Sequence, residues 1–426
     1  MESSTGSGNI RKTVIVAVVG NIMEWYDFAL YGYFAPVLAH LFFPSEDPAV
    51  SLVSTFGVFA TGFLMRPVGA AIFGHFGDRM GRRKALSASV LLMAGATALM
   101  GLLPTYAQIG MTATVLLTFL RLLQGISAGG EFTGSISFLV EHAPPSRRGF
   151  IGSWTTFSGV SGMILGSGAG ALVTYLLSDE ALNSWGWRIP FLLGIVTGGV
   201  GYYLRFGVEE SPMFKALKEQ GKVVRAPLKE AFREFHKEML TAVGVNWLNA
   251  AVFYTVWVYN TTYLATVIGL SLSSALLINT LSMLFLIIAI PIMGALSDRV
   301  GRKPLLIAGC VGVACLAYPL YYLLSQGTFG SALTAQLVFV IPISMLQGTM
   351  PTTMVELFPT SSRYSALSIS YNIAFAIFGG TAPLVATQLI SMTGDPLSPS
   401  YWLIFSAVVS LLVILSMKER YRKALR

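Results

Sequence analysis

Uninterrupted apolar runs longer than about 18 residues recur along this chain every 30 to 35 residues, and a run of that length is a membrane-span candidate. The 426 residues are 54% hydrophobic and 11% charged. A soluble domain carries about 25% charge, so a water-soluble fold is excluded. Twelve spans are expected, near 13–42, 51–75, 84–104, 109–140, 147–177, 187–207, 239–267, 273–296, 303–324, 332–356, 364–392 and 399–417. The fold class is therefore an all-α membrane protein.

The connections orient it. Turns near 43–50, 105–108, 178–186, 268–272, 325–331 and 393–398 contain no Lys or Arg. The alternate connections hold nearly all of the 28 basic residues, from Arg11 and Lys12 to the tail from Lys418 to Arg426. The positive-inside rule then predicts cytoplasmic termini. The net charge of +8 thus reports topology and lipid headgroups rather than nucleic acid. Residues 1–12 read as a disordered cytoplasmic N-terminus and 418–426 as a cytoplasmic tail. Residues 208–238, rich in Lys, Arg and Glu, read as a cytoplasmic linker with an amphipathic helix. It separates a six-helix half, 13–207, from another, 239–417.

An internal repeat supports that division. GHFGDRMGRRKA (74–85) recurs as GALSDRVGRKPL (294–305), each between the second and third spans of its half. Asp78 and Asp298 can accept from helix N-termini and arginines. With Arg79, Arg82, Glu141, Arg299, Arg302, Glu356 and Arg363 they predict two gating charge clusters on the inner side.

The stretch GNIMEWYDFALYG (20–32) puts Glu24 and Asp27 inside an apolar run. Three residues apart, they share a helix face that Tyr31 continues. From a start near Thr13 they sit about 16 to 21 Å along the span. An ionised carboxylate there is costly unless paired or facing a wet cavity. Burial favours its protonated form and a nearby guanidinium its ionised form. A carboxylate moving between those surroundings takes up and releases a proton; a fixed interhelical ion pair is the alternative. Arg66, before Pro67 where the helix should distort, and Arg121 are the expected partners. Arg121, Gln124 and Glu131 fall on one face of the fourth span. Glu24, Asp27 and Glu131 are thus the candidate proton sites. Arg66 and Arg121 are their counter-charges or a clamp for a substrate carboxylate.

The second half is neutral at membrane depth. Asn372 and the aromatic residues Trp247 and Trp257 are its candidate solute contacts, with Gln124 and Tyr31 from the first half. Trp247 and Trp257 stand about 80° apart on a helix, close enough to approach one face. An aromatic surface suits a quaternary ammonium; packing is the alternative. Cys310 and Cys315 diverge by about 140° and read as packing residues. The four histidines have no metal-like neighbour, and no nucleophile–base constellation or Walker-type loop occurs. No enzyme, metal or cofactor is expected, with the proton as coupling ion.

The duplicated G-x-x-x-D-R-x-G-R-[RK] loop among twelve spans resembles the major facilitator superfamily. GFLMRPVGA, RLLQGISAGGEFTG, RRGFIGSW, WGWRIPF and FPTSSRYSALSISYNI look like its metabolite:proton symporter family, which includes proline/glycine-betaine, 2-oxoglutarate, citrate and shikimate carriers. GGEFTG, RRGFIGSW and RYSAL look nearest the proline/glycine-betaine branch. The long acidic coiled-coil tail of some osmosensing members is missing before Arg426. The fifth span also lacks the glycine–proline motif common in proton antiporters. The resemblance implies two pseudo-symmetric halves, alternating access, a monomer, and a bacterial inner membrane. It implies symport of a proton with a zwitterion such as proline or glycine betaine. A di- or tricarboxylate is the alternative cargo; an uncoupled facilitator or a solute sensor is the alternative class.

Overall fold

The computed structural model describes residues 4–80, 82–129, 131–141, 143–206, 233–359, 363–423 and 425, without the side chains of 4–17, 74–86, 131, 197, 201–202, 204–206 and 364. Helices stand at every expected span. They are α1 (Ser4–Tyr33, continuing as Ala35–Phe42), α2 (Pro48–Leu64 and Arg66–Met80), α3 (Arg82–Leu102) and α4 (Met111–Ser127 and Glu131–Glu141). Then follow α5 (Arg148–Leu176), α6 (Arg188–Leu192 and Gly194–Phe206) and α7 (His236–Tyr254, extended by turns to Val267). The chain ends with α8 (Leu272–Val300), α9 (Arg302–Leu324), α10 (Phe329–Leu357), α11 (Arg363–Ala374, extended to Thr393) and α12 (Ser398–Ser416). Among the described residues, nine helices are long and apolar enough to cross a membrane. Large apolar side chains such as Leu172, Leu176, Phe285, Ile288 and Leu412 are exposed, which fits lipid and not water as their solvent.

α1 begins at Ser4, inside the stretch expected to be disordered. No proline interrupts residues 4–12, so the helix extends back from the apolar span. Most of the linker, with its expected amphipathic helix, lies outside the described residues.

Local sequence explains the breaks. α2 is interrupted at Met65, because Pro67 has no N–H to give to the Phe63 carbonyl. Asp47 caps α2 by accepting from Ala49 N at 2.8 Å, with Pro48 in the first turn. Between α8 and α9, Gly301 has φ +100° and ψ 167°, which only glycine adopts without strain. The second copy of the repeated loop thus turns on its glycine. Wider π-helical turns at Thr255–Tyr259 in α7 and Phe375–Gly379 in α11 re-aim the side chains beside the centre of the molecule.

The first six helices meet the last six along two seams. α5 packs against α8, and α2 against α11. Within the first six, α2 and α4 touch backbone to backbone. A Cβ on Gly69 would overlap the Ile126 backbone, and one on Gly125 the Gly62 backbone. Gly69→Ala and Gly125→Ala are each expected to destabilise the fold by about 1–3 kcal/mol, the ordinary cost of overpacking. A fall in the thermal unfolding midpoint of the purified protein reports this; an unchanged midpoint would show that the helices can separate at no cost.

Candidate functional site

α1 carries functional side chains on two faces. One face looks into the first six helices. There Glu24 and Asp27, 7% and 2% exposed, line a small chamber with Met23, Ser89, Val90, Met93, Ser127 and Gly198. The chamber is walled by α1, α3, α4 and α6. Ser127 Oγ donates to Ser89 O at 2.6 Å, and Ser89 Oγ to Ser127 O at 2.9 Å, tying α3 to α4 beside the acids. The two acids therefore share one space, as their spacing predicts. The side chain of Glu131 lies outside the described residues.

Arg121 is fully buried. It donates to Phe28 O (3.2 Å) and Gln124 Oε1 (2.8 Å), and Gln124 Nε2 donates to Thr97 Oγ1 (2.8 Å). Its guanidinium carbon lies 4.0, 4.9 and 4.8 Å from the ring centres of Phe28, Tyr31 and Phe59. Such faces attract a cation. Nε and Nη2 have no hydrogen-bond partner. Among the described side chains Arg121 forms no ion pair with an acid; that of Glu131, one of its expected partners, lies outside them. Three aromatic rings and two carbonyl oxygens, of Phe28 and Gln124, surround the guanidinium.

Arg66, 2% exposed, reaches across to the last six helices. Its Nε donates to Asn372 Oδ1 at 3.2 Å. Asn372 Nδ2 donates to Gly129 O (2.8 Å) and Ser368 O (2.9 Å). Asn372 is thus a bridge between α2, α4 and α11.

The other face of α1 presents Trp25 to a second, small central cavity. It lies between the first and last six helices, with Trp25, Phe132, Thr156, Gly159 and Val160 on one side and Phe253, Gln347, Tyr371 and Phe375 on the other. Trp25 meets Phe132 and Phe253 edge-on at 5.3 and 5.7 Å. Tyr371 stacks on Phe375 at 4.1 Å. No acid or base is among these lining residues. Trp25 was not among the residues expected at the site, since in the sequence it is one aromatic residue of many beside two acids. A residue next to Glu24 is turned about 100° away, and that rotation was the available signal.

Like Gln124 and Asn372, three further expected solute contacts sit away from the central cavity. Trp247 stacks on Phe378 at 3.7 Å and donates to Ser406 Oγ at 3.2 Å, which packs α7 against α11 and α12. Tyr31 is buried and donates to Thr55 O at 3.1 Å. Trp257 is fully buried, lines neither cavity, and its indole N–H has no partner. Large aromatic residues pack as readily as they bind, and helical angle alone does not separate the two.

The end of the bundle where α8 turns into α9 carries a charge network. Asp298 accepts from Gly149 N and Phe150 N, both at 2.8 Å, and so caps the N-terminus of α5 from α8. Arg302 donates to Asp298 Oδ1 at 2.9 Å and, through two nitrogens, to Glu356 at 3.1 and 3.3 Å. Arg363 Nη1 donates to Glu141 Oε1 at 2.7 Å. Arg299 is exposed and joins this network only through its carbonyl. That oxygen and Asp298 O each lie 2.8 Å from the Tyr421 hydroxyl. The tail then crosses to α5, where Arg148 Nη1 donates to Lys423 O at 2.9 Å. The side chains of Asp78, Arg79 and Arg82 lie outside the described residues. Among the described residues no group of three His, Cys, Asp or Glu could hold a metal ion.

A helical bundle with two inter-half seams and a central cavity has the architecture of a membrane carrier. The sequence profile of the Major Facilitator Superfamily matches residues 17–383 and 242–424. The chain belongs to the major facilitator superfamily, a family of transporters and not of enzymes. Solved structures agree on the fold: a xylose–proton symporter bound to 6-bromo-6-deoxy-D-glucose superposes with a TM-score of 0.77 at 19% identity, covering 98% of each chain. Among curated relatives, the glycine betaine/proline/ectoine/pipecolic acid transporter OusA of Dickeya dadantii (strain 3937) is 36% identical over 98% of this chain and 85% of its own length. The proline/betaine transporter of Escherichia coli (strain K12) is 35% identical over the same shares. A putative proline/betaine transporter of Staphylococcus aureus (strain COL) is 37% identical over 95% and 87%.

Proposed function

We propose that the chain is a proton-coupled symporter importing a small zwitterion of the proline or glycine betaine type. The observation that carries this is the central cavity: small, aromatic, and lined by no charged side chain. A zwitterion has no net charge to neutralise, and its ammonium suits aromatic faces. A di- or tricarboxylate needs cations at the cavity wall, and Arg66 and Arg121 are not among its lining residues. The relatives' names point the same way.

Glu24 and Asp27 carry the proton in this reading, with Glu131 as a third candidate. Residues 13–207 and 239–417 rock about the cavity, and the clusters at Asp298, Arg302, Glu356, Arg363 and Glu141 re-form with each cycle. Both termini face the cytoplasm of a bacterial inner membrane, and the monomer is the working unit. One charge moved through 100 mV is worth about 2.3 kcal/mol, which supports roughly 50-fold accumulation.

Uptake of labelled proline, glycine betaine, citrate and 2-oxoglutarate into vesicles, with and without an imposed pH gradient, tests the proposal. Accumulation of the first two, driven by an inward proton gradient, is expected. Uptake indifferent to the gradient would remove the symport mechanism, and preference for citrate or 2-oxoglutarate would remove the zwitterion.

A further inference from the structure

The central cavity holds two hydrogen-bond donors with nothing to bind. Trp25 Nε1 and Gln347 Nε2 are buried and have no partner. Their side chains are each 5% exposed, and both residues line the cavity from opposite sides. A buried donor left unmade is expensive, and buried donors are nearly always satisfied. The other lining residues are aromatic or aliphatic, apart from Thr156 and the Tyr371 hydroxyl, so an acceptor for the two donors comes from outside the protein, as solute or water.

We infer that the indole N–H of Trp25 and the amide NH₂ of Gln347 together hold the carboxylate of the solute, while Phe132, Phe253, Tyr371 and Phe375 enclose its ammonium end. This rests on the zwitterion reading above and assigns it an anchor other than the buried arginines. The choice of neutral donors has a physical reason. A carrier that accumulates solute must also return with its cavity empty. An arginine in the wall would then be a buried charge without a partner, which is costly. Two neutral N–H groups carry no such charge, and the solute brings its own balancing ammonium. Arg66 is left to the inter-half bridge and Arg121 to the rings of Phe28, Tyr31 and Phe59.

Gly159 sets the position of the indole. A Cβ there would stand 3.2 to 3.3 Å from three atoms of the Trp25 ring, Nε1 among them. The α5 backbone therefore backs the ring and fixes where its N–H points. Trp25, on the cavity face of α1, is next in sequence to Glu24 on the chamber face. α1 thus connects the carboxylate anchor to the proton sites within three residues.

The test is equilibrium binding of labelled glycine betaine and proline to the purified full chain in lipid nanodiscs. Glycine betaine methyl ester, whose carboxylate is capped, serves as the competing probe. Wild type should bind glycine betaine and prefer it clearly to the ester. Trp25→Phe keeps an aromatic ring and removes the N–H. Gln347→Leu keeps most of the volume and removes the donor. Each should weaken glycine betaine binding by about 10- to 100-fold, the range for a hydrogen bond to a charged group, and leave ester binding nearly unchanged. Gln347→Glu, with a like charge facing the solute carboxylate, should lose glycine betaine and keep the ester. If one variant fails to fold, judged by thermal unfolding without ligand, the others decide. Wild type that binds neither glycine betaine nor proline removes the zwitterion reading, and this anchor with it. Wild type that binds them while every folded variant keeps full affinity removes the anchor alone.

Discussion

Asp27→Asn is expected to abolish gradient-driven accumulation while leaving binding and exchange of solute intact. Asp27 is 2% exposed and Glu24 7%, and both line the chamber among α1, α3, α4 and α6. A carboxylate in such a place is ionised only while a partner or water stabilises it. An amide copies the protonated acid in shape and charge but cannot release a proton. The variant should then cycle as if permanently protonated. Accumulation would fall from roughly 50-fold at 100 mV to near unity. Counterflow of labelled against unlabelled solute would persist. Binding should hold because the chamber and the central cavity share no lining residue; α1 stands between them. Glu24→Gln, measured alongside, assigns the step. Loss in one variant alone names the acid that moves the proton, and full accumulation in both would exclude the pair.

How much of this was legible beforehand differs from element to element. The helices followed from apolar run length, because a bilayer leaves a backbone few alternatives. The break in α2 followed from Pro67, and the turn at Gly301 from the repeated loop. The shared chamber of Glu24 and Asp27 followed from their spacing. Arg121 did not follow. The expectation paired it with an acid, whereas the fold surrounds it with Phe28, Tyr31 and Phe59. Those rings come from two helices, and helical angle within one span says nothing of which rings a neighbour supplies. Trp247 failed for the same reason. Its angle to Trp257 allowed a shared face, yet Phe378 and Ser406 of α11 and α12 claim it. Asn372 was read as a solute contact; its bonds to Arg66 Nε, Gly129 and Ser368 make it a cross-half bridge. That role depends on a partner 306 residues away, a distance no local pattern encodes.

Arg302→Leu is expected to open the cytoplasmic side and to destabilise the protein. Arg302, Asp298 and Glu356 are 1%, 7% and 7% exposed. The guanidinium joins two carboxylates that would otherwise stand buried with their main partner lost. Removing one member of a buried ion network costs about 3–5 kcal/mol. Part of that cost appears as a lower thermal midpoint. The rest bears on the equilibrium between closed and open inner ends, because Asp298 also holds the first turn of α5 through Gly149 and Phe150. With Arg302 absent, the repulsion between Asp298 and Glu356 weakens that cap and the seam it closes. The strap from Tyr421 to Lys423 crosses the same seam and cannot replace a charge. A cysteine placed at Thr156, on the wall of the central cavity, reads the opening when the native Cys310 and Cys315 are replaced. Its labelling from the cytoplasmic side of inside-out vesicles should be at least about tenfold faster with Arg302→Leu, since 1.4 kcal/mol of the loss already gives that factor. A lower midpoint with unchanged labelling would mean that the network holds the fold together without acting as a gate.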